Sequence, residues 1–255
     1  MANKLEYKDL LDAGVHFGHL TRKWDPRMAP YIFMEKNGIH IIDLNKTLGC
    51  LEEASKALKG IVRSGRKIMF VATKKQARDV VADEAKRLNM PFVTERWLGG
   101  MLTNFATIRK SLKKMSSIEK LMKDEAYQNL AKRERLMITR EKDKLERVLG
   151  GISDLTRLPA ALFIIDVKKE HIAVKEAQKL NIPVFAMVDT NSNPKGVDFP
   201  IPANDDAFKS ISLITNYVGS VIEEGLQERK KDKEEANLKK EEEAKIEADT
   251  KETAE

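Results

Sequence analysis

A succession of short apolar runs, each bounded by turn signals, constrains this chain more than any other feature. The runs lie at residues 39–44, 67–72, 91–94, 161–167 and 183–189, with a weaker one at 199–201. They are rich in Ile, Val and Phe and do not alternate with polar residues, as strands covered on both faces require. Stretches with helical spacing separate most of them. Residues 44–61 place Leu44, Leu48, Leu51, Ala54 and Leu58 on one stripe, and 74–88 and 171–180 have the same period. Strand alternating with helix predicts an α/β fold, a doubly wound parallel sheet with helices on both faces. A chain of 255 residues can bury a core of that kind.

Residues 105–150 interrupt the rhythm. Ile108, Leu112, Met115 and Met122 form one apolar stripe, and Leu130, Met137, Leu145 and Val148 form another. A turn is expected over 123–128, and Gly150-Gly151 closes the second helix. Two antiparallel helices of about 20 residues would project roughly 30 Å. The segment is therefore an inserted helical hairpin, and residues 1–104 and 151–227 form the α/β body around it. After Asp205-Asp206, read as an N-cap, a last helix carries Phe208, Ile211, Ile214, Val218 and Ile222. Residues 228–255 are Lys, Glu and Ala with almost no apolar side chains, and are expected to be disordered or a frayed helix.

The charge is divided unevenly. The whole chain has a net charge of +6, but residues 228–255 contribute eight basic and eleven acidic side chains. The rest is thus at +9, and the hairpin alone has 13 basic and seven acidic residues. Such a surplus favours a polyanionic partner, because cations that neutralise phosphates release condensed counterions. A solvated hairpin packed on itself would also carry surface charge; the one-sided excess favours an arm that reaches a partner. Cys50 is the lone cysteine, which excludes an internal disulfide and a thiolate-rich metal site. The N-terminal residues lack a signal-peptide core and no apolar run is long enough to span a bilayer, so a cytoplasmic protein is expected.

Nucleotide chemistry leaves no trace at the expected places. The first strand-to-helix junctions, Asp43-Leu44-Asn45-Lys46-Thr47 and Ala72-Thr73-Lys74-Lys75-Gln76, lack the glycines that let a backbone approach a pyrophosphate. Gly99-Gly100 has the spacing of neither phosphate-loop motif. His16 and His19 lie three apart, a spacing compatible with one helical face, but no nearby carboxylate pair completes a ligand set. His40 reads as a core or edge residue and His171 as exposed. No Ser-His-acid or Cys-His arrangement can be assembled. The reading is non-enzymatic, without metal, cofactor, small-molecule substrate or membrane.

Basic and aromatic residues cluster in loops instead. Residues 19–36, too broken by proline for a regular helix, hold Arg22, Lys23, Arg27 and Lys36 around Trp24 and Tyr31. Cations there can meet phosphates, while the two rings are best read as anchoring the loop to the domain. Lys74, Lys75 and Arg78 open a helix at the carboxyl edge of a strand, and Arg96 follows the next strand, with Trp97 read as packing. Arg109, Lys110, Lys113 and Lys114 line the hairpin's first helix. These eleven cations, Lys36 excluded, are the candidate RNA contacts.

Four separated segments resemble the bacterial form of small-subunit ribosomal protein S-two. They are residues 10–19 with Trp24-Asp25-Pro26 and 37–44; Arg96-Trp97-Leu98-Gly99-Gly100-Met101-Leu102-Thr103-Asn104; Gly150-Gly151 through Asp166, Glu170-His171, Glu176-Ala177 and Ile182-Pro183; and Asp189-Thr190-Asn191-Ser192-Asn193-Pro194 with 201–207. They span residues 5–226 in the family's order. Asp25 stands where members often carry Asn, which opposes a direct phosphate contact at that position, and Ala160 and Val167 replace commoner Asp and Pro. The resemblance implies a flavodoxin-like parallel sheet with a protruding hairpin. It also implies a structural role in the small ribosomal subunit, contact with ribosomal RNA and neighbouring ribosomal proteins, and help in docking ribosomal protein S-one. Two rivals remain: a nucleotide-binding α/β enzyme, against which the missing glycine loops stand, and a free protein-interaction adaptor.

Overall fold

The structure, a computed structural model, describes residues 5–124, 127 and 129–252, with side chains as far as 232 and at 234. The chain opens with helix α1 (Tyr7–Asp12), strand β1 (Phe17–Leu20), two 3-10 turns, and the strands β2 (Ile32–Lys36) and β3 (Ile39–Ile42). These three strands form a small antiparallel sheet in the order β1-β3-β2. The run at 39–44 therefore belongs to this sheet and not to the parallel one. Its signal is Asn37-Gly38, both at positive φ (54° and 73°), a two-residue hairpin turn whose flanks Lys36 and Ile39 pair. His19 correspondingly lies in β1 and His16 in the turn just before it, so the two do not share a helical face.

Helix α2 (Leu44–Arg63) leads into β4 (Ile68–Val71), α3 (Lys75–Arg87) and the two-residue β5 (Phe92–Val93). After the hairpin helices α4 (Phe105–Lys123) and α5 (Lys132–Leu149) come β6 (Ala161–Ile165), α6 (His171–Lys179), β7 (Val184–Val188), β8 (Phe199–Pro202) and α7 (Phe208–Glu252). Among the described residues the second sheet has five strands, all parallel, in the order β5-β4-β6-β7-β8. Numbered from its own first strand this is 2-1-3-4-5, the flavodoxin-like arrangement.

Alternation along buried strands builds two cores. Ile68, Phe70, Ala161, Phe163, Ile165, Phe185 and Met187 face α2, α3 and α7. Met69, Val71, Leu162, Ile164, Val184, Ala186 and Val188 face α4, α6 and the loops that carry Met28 and Trp97. Every residue of β4, β6 and β7 is buried, which explains why the sequence runs were continuous rather than alternating. Helix α7 crosses α3 at Gly219, where a Cβ would lie 1.6 Å from a Glu84 carboxylate oxygen. It continues past Gln227, and Glu228 and Asp232 pair with Lys59 and Arg63 of α2, each at 2.8 Å.

The hairpin's seam is thin. Helix α4 buries Ile108, Leu112, Met115 and Ile118, whereas α5 buries Leu149 and keeps Leu145 and Val148 partly covered. Lys114 pairs with Glu141 across it, and the Tyr127 and Thr139 hydroxyls meet at 3.1 Å. The turn expected at 123–128 falls on residues 125, 126 and 128, outside the described residues. No described helix is long and apolar enough to cross a membrane.

Candidate nucleic-acid interface at the carboxyl edge of the sheet

In sheets of this order a ligand enters the crevice beyond the carboxyl ends of the strands at the switch point, here between β4 and β6. The chain fills that crevice with its own side chains. The buried Glu170 carboxylate accepts from the Thr73 amide at 3.0 Å and from the Thr73 hydroxyl, while Lys169 donates to the Thr73 carbonyl at 2.9 Å. Burial pushes the Glu170 carboxyl above its ordinary range, partly offset by the Thr73 hydrogen bonds. Lys74 Nζ lies 2.7 Å from Asp205 and from Asp206, and 3.8 Å from Asp166. A nucleotide phosphate would meet Asp166, Glu170 and Asp205 where a phosphate loop offers amides. The geometry agrees with the missing glycines: the fold's usual ligand site is occupied by structure.

A second acid–base cluster joins the antiparallel sheet to this edge. His19 Nδ1 lies 2.9 Å from Asp189, its Nε2 lies 3.2 Å from Asp206, and its amide donates to the Thr190 hydroxyl at 2.8 Å. The contact requires glycine next door, since a Cβ on Gly18 would stand 2.6 Å from Thr190 Cγ2. The Asp189 hydrogen bond, working against partial burial, raises the His19 pKa. Burial, with Asp189 and Asp166 nearby, raises Asp205 to about 7 against the pull of Lys74. Ligand atoms of His19, Asp205 and Asp206 lie within 4.8 Å of one another, and the Lys74 ammonium, 2.7 Å from both carboxylates, is the cation they hold. The carboxylates absent near His19 in sequence thus arrive from some 186 residues away. Asp205-Asp206 do not cap α7; Asn204 Oδ1 accepts from the Asp206 and Ala207 amides instead.

The loop after β5 hangs on one carboxylate. Glu176 accepts from Trp97 Nε1 (3.2 Å), from the amides of Gly100 (2.7 Å), Leu102 (2.9 Å) and Thr103 (3.1 Å), and from the Thr103 hydroxyl (3.2 Å). Burial alone would raise its pKa, but these donors hold it below the ordinary glutamate range. Trp97 is accordingly a packing residue, as its sequence context implied. The sequence signal for Glu176 was available: it sits on the apolar stripe of α6 with Ala173, Val174 and Ala177.

The eleven candidate cations separate into two groups. Arg22, Lys23, Arg27, Lys75, Arg96, Arg109, Lys110 and Lys113 are exposed, and none forms an ion pair among the described residues. Lys74 is held inward by three carboxylates, Arg78 donates to Glu95 and to the Thr73 carbonyl, and Lys114 pairs with Glu141. Trp24 rests on His40, with ring centroids 5.0 Å apart, yet stays 38% exposed.

A family model described as Ribosomal protein S2 matches residues 10–225. The chain is 74% identical over 249 residues to a protein named small ribosomal subunit protein uS2 of Cytophaga hutchinsonii, with 98% of each covered. Identity is 66% over 234 residues to the protein of the same name in Flavobacterium johnsoniae, covering 92% of each. It is 59% over 239 residues to that of Parabacteroides distasonis, covering 94% of this chain and 86% of the relative.

Proposed function

This chain belongs to the ribosomal protein S2 family, and on that premise we propose that its exposed carboxyl-edge and hairpin cations bind ribosomal RNA. It is a structural constituent of the small ribosomal subunit, not an enzyme, and acts in translation together with ribosomal RNA and ribosomal proteins. The observation that carries the contact assignment is the separation of charges just described. Arg22, Lys23, Arg27, Lys75, Arg96, Arg109, Lys110 and Lys113 keep their charges outward. Lys74 and Arg78 serve the edge itself, and Lys114 the hairpin. The mechanism is positional: cations neutralise phosphate while a rigid body fixes the distance between RNA segments and neighbouring proteins.

The test is sucrose-gradient sedimentation of the full chain with small subunits at increasing salt. The natural chain should co-migrate, and a variant with Arg22, Lys23 and Arg27 all changed to Glu should dissociate at distinctly lower salt. Equal retention of the two would remove these residues from the interface.

The ribosomal protein S-one of the family resemblance needs a different surface. Phe33, 69% exposed on edge strand β2, is the most exposed large apolar side chain among the described residues, with Met34 beside it at 49%. This apolar edge suits a protein partner rather than a phosphate. Subunits carrying Phe33→Ala should sediment normally and lose S-one; retained S-one would send that contact elsewhere.

A further inference from the structure

A groove of about 510 Å³ opens beyond the carboxyl ends of β6 and β7, next to the filled switch-point crevice. Its floor is apolar, formed by Val167 and Val174, and its rim carries the exposed ammonium groups of Lys23, Lys168 and Lys175. Trp24 forms part of the wall, backed by His40. The wall is held in place: the Asp25 amide donates to the Thr190 carbonyl at 2.8 Å, tying the Trp24 loop to the end of β7. Asp25 is the one carboxylate in the lining, and its oxygen already accepts from the Arg27 amide at 2.9 Å.

From this geometry we infer that the groove binds a single-stranded RNA nucleotide, its base against Trp24 and the flanking phosphates on Lys168, Lys175 and Lys23. Three features point the same way. The volume lies within the ~300–1,000 Å³ of sites that enclose one small ligand. Trp24, 38% exposed beside lysines and backed by His40, offers its ring to an unstacked base, a group that the stacked bases of a duplex do not present. The lining has three lysines against one carboxylate that is already engaged, so the groove favours an anion. A strand segment supplies both the flat apolar group and the charge on either side of it. Lys168, Lys175 and Trp24 thereby join the candidate RNA surface, the two lysines from a part of the chain that the candidate contacts read from sequence did not include.

The inference rests on the RNA-bound scaffold reading, and two measurements keep the failures apart. The first uses the full chain with Trp97→Phe, so that emission reports Trp24 alone, titrated with an unstructured eight-nucleotide RNA. Emission should be quenched, and a duplex of equal length should quench far less. Lys168→Glu with Lys175→Glu should weaken binding at least tenfold and reduce the slope of log affinity on log salt by about 1.4, since each phosphate contact on a single strand contributes ~0.7. Trp24→Ala should weaken it roughly tenfold through lost stacking. Absent quenching, equal quenching by the duplex, or indifference to the lysine reversals overturns the inference. The second measurement places a photoreactive side chain at position 171 in assembled subunits. Crosslinks to RNA support the groove assignment, and crosslinks to protein alone overturn it. Failure of the natural chain to sediment with the subunit would sink the scaffold reading itself; normal sedimentation beside a negative titration condemns only the groove.

Discussion

The central sheet and the helical hairpin hold their shapes by different means. In the sheet, Phe70, Phe163 and Phe185 are fully buried and the backbone of each inner strand is paired on both sides. In the hairpin, α5 has 18 residues and buries Leu149, while Met137 is 63% exposed and Leu136 49%. The sheet draws its stability from buried apolar area. The hairpin has a narrow seam and a surplus of cations, so it presents charge more than it stores stability. A rigid support carrying a lightly packed, basic arm is what positional binding of RNA asks for. Glu176 stands where the two regions meet, holding the loop through which the chain passes from β5 into α4.

The contrast can be broken by mutation. Phe163→Ala, in the centre of the sheet, should cost about 3–5 kcal/mol in chemical denaturation of the full chain. A loss below 1 kcal/mol would mean that the sheet is not the main store of stability. Glu176→Gln replaces one acceptor oxygen with an NH2 donor that faces N–H groups also donating, and should cost about 2–3 kcal/mol. That difference has a pH signature. The folded carboxyl is held below its ordinary value, so its contribution is complete above the usual glutamate range and is lost as pH falls through the lowered value. Wild type and Glu176→Gln should converge in stability on acidification, and a constant gap would argue against the ionised cradle.

Within the hairpin the effects should be smaller and local. Leu112→Ala should cost about 1–2 kcal/mol, less than in a closed core because the seam can relax, with faster hydrogen exchange confined to α4 and α5. Exchange that quickens across the sheet as well would show the two regions to be one cooperative unit. Lys114→Gln should change stability by no more than about 0.5 kcal/mol, since both partners are largely solvated. A larger change would give the cross-hairpin pair a structural weight that its exposure does not suggest.

The fold was legible wherever a pattern was local. Buried strands at 67–72, 161–167 and 183–189 announced themselves as unbroken apolar runs, and the hairpin as two stripes with helical period. Asn37-Gly38 was an equally local signal for the β2–β3 turn; overlooked, it left β3 assigned to the wrong sheet and β2 hidden in a loop. The candidate contacts were legible only as charge. Sequence cannot tell an exposed lysine from one turned inward, so Lys74 and Arg78 read like Lys75 and Arg96. Only the return of Asp205 and Asp206 beside β4, and of Glu95 beside α3, separates them.

What the sequence determined by itself was the α/β class, the basic body and hairpin, and the absence of a phosphate loop, because each depends on neighbours along the chain. The resemblance carried by residues 96–104 and 189–194 pointed to the family. The tertiary structure decided everything that needs distant residues to meet. It set the 2-1-3-4-5 strand order, the Glu170–Thr73 plug of the switch-point crevice, the His19–Asp189–Asp206 junction and the Glu176 cradle. The physical reason is that a buried carboxylate is stable only where donors surround it, and the chain must fold before those donors, up to 170 positions away, are in place.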